Sequence, residues 1–191
     1  MLSLIRFRRR RPILPTPLPV PENAPPGRST AASDRPSAPC QTSGHRQKVL
    51  ATAIVHSRLC PRRRADRLAV AGLVDCGDLL DADLDRIAES FQSPRRARWQ
   101  LRMYRRAVRL SLGVEGLSPA DALLLVAIHR RTPASLARCS ASELMADIRR
   151  FAETTVGRNL IGNRRLPGPK RIGRWMRSAT ADAVAHPGLA D

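Results

Sequence analysis

The sequence predicts an all-α domain built from a duplicated helical unit, standing behind a disordered Pro/Arg-rich tail. Three observations carry this. No apolar–polar alternation with the period of a strand lasts more than a few positions. Helix-start signals recur along the second part of the chain. And the chain matches itself when Leu68 is laid on Leu125, a shift of 57 residues.

Taken in order, residues 1–46 form the tail. Nine of the 16 prolines lie between Pro12 and Pro39, with almost no large apolar residue around residues 12–45. Such a segment cannot bury enough surface to offset an ordering cost of about 1–2 kcal/mol per residue. Its start, Met1 to Arg11, puts charge after a short apolar piece, the reverse of a secretory signal. It reads either as a basic arm or as residues translated from an upstream start codon. Order is expected from Gln47, where Val49–Val55 permits a first helix. The domain spans residues 47–180, with repeat one over 58–110, repeat two over 111–180, and a flexible end over 181–191.

Within the domain, Asp75-Cys-Gly-Asp78 opens a short helix. Ser93-Pro94, Ser118-Pro119 and Thr132-Pro133 each place a capping residue before a proline at the first helical position, and Gly168-Pro169 is a weaker instance. Ser140-Ala-Ser-Glu143 is a capping box. Gly72, Gly113 and Gly157 stand where helices should end. Helices of about 6–16 residues follow. Each unit reads helix, tight turn, very short helix, second helix, then a Pro-basic-basic segment leading to Arg-Trp: Pro94 to Trp99, and Pro169 to Trp175. The units are too small to fold alone and should share one core. Its expected members are Leu68, Leu79, Leu84, Ile87, Leu101, Tyr104, Val108, Leu117, Leu124, Leu125, Leu136, Leu144, Ile148 and Phe151.

Charge narrows the function. The 191 residues carry 34 Lys+Arg against 16 Asp+Glu, a net +18. Residues 1–64 contribute +11 of this and residues 65–191 the remaining +7. An acidic partner is implied: nucleic acid, an acidic protein surface or anionic lipid. No apolar stretch approaches the ~20 residues that cross a bilayer. Cys40, Cys60, Cys76 and Cys139 form no Cys-x-x-Cys pair, and His45, His56, His129 and His186 do not cluster with them. Neither a metal site nor a disulfide framework is expected, which suits a reducing, cytoplasmic compartment. Cys76 and Cys139 read as small half-buried residues.

The segment Val114-Glu-Gly-Leu-Ser-Pro-Ala-Asp-Ala122 resembles a helix-hairpin-helix element, whose usual form is apolar-Pro-Gly-apolar-Gly followed by a helix with Ala at its fourth position. With Arg131 to Ala137, Glu143-Leu-Met, Arg150 to Arg158 and Arg174-Trp-Met taken in order, residues 60–180 are similar to domain of unknown function 4332, a bacterial family of paired helix-hairpin-helix-like repeats. The resemblance implies a fold and brings no established activity. Its second hairpin keeps Gly116 but has Ser118 in place of the second glycine. Its first, near Leu59-Cys60-Pro61-Arg62, has no glycine. The motif's glycines let backbone N–H groups approach a phosphate. That implies Gly116, Leu117 and Ser118 as phosphate contacts, with Asp121 opposing.

The strongest charge signal is the segment 94–109. It holds Arg95, Arg96, Arg98, Arg102, Arg105, Arg106 and Arg109 and no acid, with Trp99 and Tyr104 interleaved. These arginines read as phosphate contacts, or as a solvated face neutralised by Asp75, Asp78, Asp81, Asp83, Asp85 and Glu89, with Trp99 and Tyr104 in the core. Arg62, Arg63 and Arg64 open repeat one's helix against its dipole, an oddity that a bound phosphate would relieve. Arg130 and Arg131 form a second candidate clamp. Lys170, Arg171, Arg174 and Arg177 surround Trp175, which reads as a core anchor.

Catalysis finds no support. The carboxylates cluster between Asp75 and Asp85, where Asp81, Asp83 and Asp85 alternate and would not share one helical face, and no nucleophile–base set or Gly-rich phosphate loop is present. No catalytic residue, metal or cofactor is expected. The sequence reading is a non-enzymatic module that contacts nucleic acid, double-stranded DNA foremost, through phosphates and without sequence specificity, at the nucleoid. The alternative is an adaptor of helical repeats that docks an acidic protein.

Overall fold

A computed structural model describes residues 42–185, with side-chain surroundings from Gly44 to Ala181. The predicted tail lies outside them up to residue 41, as does the chain beyond Ala185. Eleven helices make up the described part: α1 (Thr42–Leu50), α2 (Ile54–Ser57), α3 (Arg62–Val70), α4 (Asp78–Asp81), α5 (Leu84–Glu89), α6 (Pro94–Gly113), α7 (Pro119–Ala127), α8 (Pro133–Ala137), α9 (Ala141–Glu153), α10 (Thr155–Ile161) and α11 (Pro169–Ala185). The protein is all-α.

The duplication holds at the level of single hydrogen bonds. α3 and α7 end alike: Leu73 N–H donates to Leu68 O and Arg130 N–H to Leu125 O, each at 2.9 Å. The residues before them, Gly72 and His129, both have positive φ (89° and 65°). The next turns also match. Asp75 and Asp78 cap each other's backbone at 2.9 and 3.0 Å, and Thr132 and Ser135 do the same at 3.1 and 3.2 Å. Asp83 then caps α5 as Ser140 caps α9. Polar capping of this kind fixes where short helices start even though their own propensity is small.

α6 belongs to both units. It lies against α1, α4, α5 and α7, and its C-terminal end is the first arm of the second hairpin. No breaker interrupts Pro94–Gly113, so the helix reaches 20 residues, longer than expected, while α2 and α4 have only four each. One buried cluster runs through both repeats. Of the expected core residues, all are buried except Ile87 and Phe151, which are half-buried at its edge. Leu73, Leu110, Ile172 and Trp175 complete it.

Several expectations are corrected. Helix α1 starts at Thr42, ahead of Gln47, and α11 runs past residue 180 to Ala185. The Val49–Val55 stretch is not one helix. Its backbone breaks after Leu50 and joins the turn beside it: Cys76 N–H donates to Thr52 O, Gly77 N–H to Leu50 O, and Ile54 N–H to Val74 O. Gly157 does not end a helix. It sits in the first turn of α10, packed against the end of α9, where a Cβ would come within 1.8 Å of Phe151 O. Cys76 is fully buried rather than half-buried, and burial pushes its thiol up to about 12. Trp99, placed in the core under the salt-bridged alternative, is 62% exposed.

Candidate nucleic-acid interface

The arginines of α6 divide into two groups. Three are tied to the preceding acidic and turn segment. Arg98 and Arg102 meet the Asp85 carboxylate at 2.6 and 3.3 Å. Arg105 donates through Nε to Leu79 O at 2.7 Å and through its terminal nitrogen to Ala82 O, closing the C-terminal end of α4. Burial lowers the Arg105 pKa, and the Arg109 charge lowers it further. Arg95 and Arg96, by contrast, are exposed in the first turn of the helix and make no ion pair among the described residues. Arg106 and Arg109, lower on the helix, are exposed and unpaired in the same sense.

The start of α3 comes to the first half of α6. Arg64 donates to the Tyr104 hydroxyl at 3.3 Å. Burial raises the Tyr104 pKa, and the Arg64 hydrogen bond opposes that rise. Arg64 and Arg96 together line two adjoining cavities. One, of about 240 Å³, adds Arg67, Gln92 and Gln100. The other, of about 590 Å³, adds Arg58, Leu59, Trp99, Met103, Val156, Asn159 and Leu160. No Asp or Glu lines either cavity. Both helices also start without a side-chain cap, since Pro61 has none to offer and Ser93 makes no such bond. Arg62 and Arg63 project from the same turn and are exposed.

The second hairpin is held differently. Gly116 takes the turn at φ 73°, a conformation that disfavours a Cβ. Helix α11 lies across it. Trp175 Nε1 donates to Gly116 O at 3.2 Å, and Glu115 N–H donates to Ser178 Oγ at 2.7 Å. Leu117 is fully buried, and its N–H is used within the turn by Val114 O. Ser118 caps α7 and donates to the Asp121 carboxylate at 2.5 Å, which Arg171 meets at 2.5 Å. Arg171 also stands over the Trp175 ring, 5.4 Å from its centroid. The carboxylate of Asp121 thus occupies the positive end of α7 that the motif would offer to a phosphate.

The remaining predicted residues are separate from both places. Arg130 pairs with Asp147 at 3.1 Å, and Arg131 donates to His129 Nδ1 at 3.2 Å. Sequence reasoning missed Arg58, Arg67 and Gln100 at the cavities. Arg58 turns the first hairpin at φ 56°, and a hairpin without glycine gives no signal of that. It also missed a second pocket beside Gly116, where Lys48, Arg174 and Arg177 stand with His45 and Glu115. Lys48 belongs to a helix outside both repeats.

Among the described residues no three His, Cys, Asp or Glu groups converge as a metal site, and no helix is long and apolar enough to cross a membrane. The fold defines a class: a small all-α module of two repeated helical units on a shared helix. The chain belongs to the family described as domain of unknown function 4332, which matches residues 59–182 and so takes in both repeats. No curated protein and no solved structure matches it.

Proposed function

We propose that this protein is a non-enzymatic nucleic-acid-binding module that holds backbone phosphates at the Arg64–Arg96 surface. One observation carries the reading. Under the 57-residue shift Arg64 takes the place of Asp121, and under the Pro94-to-Pro169 correspondence Arg96 takes the place of Arg171. Repeat two closes that position with a carboxylate and an arginine 2.5 Å apart. Repeat one brings two guanidiniums to it, and no carboxylate lines the cavities they share. The missing negative charge would come from outside, and phosphate suits the planar donor fork of arginine. Arg58, Arg62, Arg63, Arg67 and Arg95 would add attraction without base readout. In this reading the Gly116 hairpin is a structural turn and the site acts at the nucleoid.

The test uses the full chain, so that the Arg6–Arg11 arm contributes equally to every variant. Fluorescence anisotropy with a labelled duplex is followed across salt. Arg64→Gln with Arg96→Gln should weaken binding and flatten the log–log salt slope by about 0.9 for each phosphate that is no longer neutralised. A double variant that superimposes on the parent at every salt concentration sinks the reading. The rival, an adaptor for an acidic protein, has the exposed Val156 and Trp99 in its favour and predicts that superposition.

A further inference from the structure

We infer that the groove beside this surface receives an unpaired nucleobase, stacked on Trp99, so that the protein prefers single-stranded nucleic acid to duplex. The inference rests on the phosphate reading above and adds the chemistry of the ligand. Trp99 is 62% exposed and Val156 67%, whereas Trp175 is fully buried. The exposure has a cause in the chain. Trp175 stands six residues after Pro169, and Trp99 five after Pro94. One residue is about 100° around a helix, which turns Trp99 out of the buried stripe and leaves Gln100 in the register of Trp175.

The indole then borders a groove of about 590 Å³ that Met103, Val156 and Leu160 line together with Gln100, Asn159 and Arg96. That volume lies within the roughly 300–1,000 Å³ of small-ligand clefts. An aromatic face, apolar walls, amide donors and acceptors, and adjacent guanidiniums are what a base with its flanking phosphate needs. An acidic peptide would be served by the cations, but two amides among apolar and aromatic lining residues match the polar edge of a flat ring better. In a duplex the faces of the bases are already stacked on each other and closed to the indole.

The experiment compares the full chain with Trp99→Ala and Trp99→Phe, using a fluorescein-labelled oligothymidylate and a duplex of the same length. Trp99→Ala should weaken the single strand about tenfold and leave duplex affinity and the melting temperature unchanged. Trp99→Phe should recover most of the loss. Indole emission, quenched by the oligothymidylate in the parent, should no longer respond in Trp99→Phe, because Trp175 is buried. Equal losses on both ligands, or none on either, overturn the base-stacking inference. The phosphate reading is judged separately by Arg64→Gln with Arg96→Gln: weaker binding of both ligands there, with Trp99→Ala silent, keeps the phosphates and removes the base.

Discussion

Both hairpins turn through a residue of positive φ, Arg58 in the first and Gly116 in the second, one position apart under the 57-residue shift, and different things hold the helix beside each of them. In repeat two, α11 is fastened to the turn by Trp175 on Gly116 O, by Ser178 beneath Glu115, and by Arg171 on Asp121. In repeat one, the first turn of α3 meets the middle of α6 through Arg64 on the Tyr104 hydroxyl, and the neighbouring cations face open cavities. The carboxylate that completes one copy is an arginine in the other. A duplicated unit can thus divide its tasks: one copy spends its polar groups on stability, and the other keeps them open to solvent and ligand.

The two copies differ most sharply at their tryptophans. Trp175→Ala removes a fully buried ring and orphans a carbonyl, so unfolding by urea should show a loss of about 3–5 kcal/mol. Trp99→Ala at its exposed site should stay within about 0.5 kcal/mol. Equal losses would mean that the two copies are fastened alike. A smaller effect comes from Asp121→Asn, which leaves Arg171 without its charge partner. Because Arg171 is half exposed, solvent screens the loss to about 1–2 kcal/mol in the same measurement.

Cys76, whose place in repeat two is taken by Pro133, gives a pH-dependent contrast. Burial holds its thiol neutral, raised to about 12 from the ordinary 9.0. The folded state therefore prefers the protonated form. That contribution is complete below pH 9 and is lost as pH rises towards 12. Cys76→Ala should flatten the alkaline fall in stability by about 1 kcal/mol at pH 10, followed by circular dichroism melts. The smallest effect is expected from Arg98→Gln. Its side chain is half-exposed and its partner Asp85 is exposed and shared with Arg102, so a change above about 1 kcal/mol would contradict its surface character.

Much of this was legible because short polar motifs act locally. Ser118, Thr132 and Ser140 start their helices by bonding backbone three residues away, which needs no tertiary knowledge. The shift of Leu68 onto Leu125 was equally readable, since both ends of the match are buried leucines. The break after Leu50 was not, because it is imposed by hydrogen bonds to residues 74–77, and nothing within Val49–Val55 records them. The site was half legible. Arg64 and Arg96 stood out as cations, but so did Arg105. Only the fold separates a guanidinium that closes α4 from one that lines a cavity. The exposure of Trp99 follows from a single-residue offset after proline, visible in the sequence once the burial of Trp175 supplies the register.

Helix α6 is one hydrogen-bonded ladder about 30 Å long, anchored in repeat one at its start and forming the hairpin of repeat two at its end. Amide protons near its middle exchange with solvent only when helices on both sides have let go. Local opening of α4 and α5, or of α11, leaves those amides protected. In a deuterium-uptake experiment they form the slowest set, with one common rate for the two halves, and the ends of α1 and α11 label first. The expected outcome is one exchange barrier for two copies of a motif.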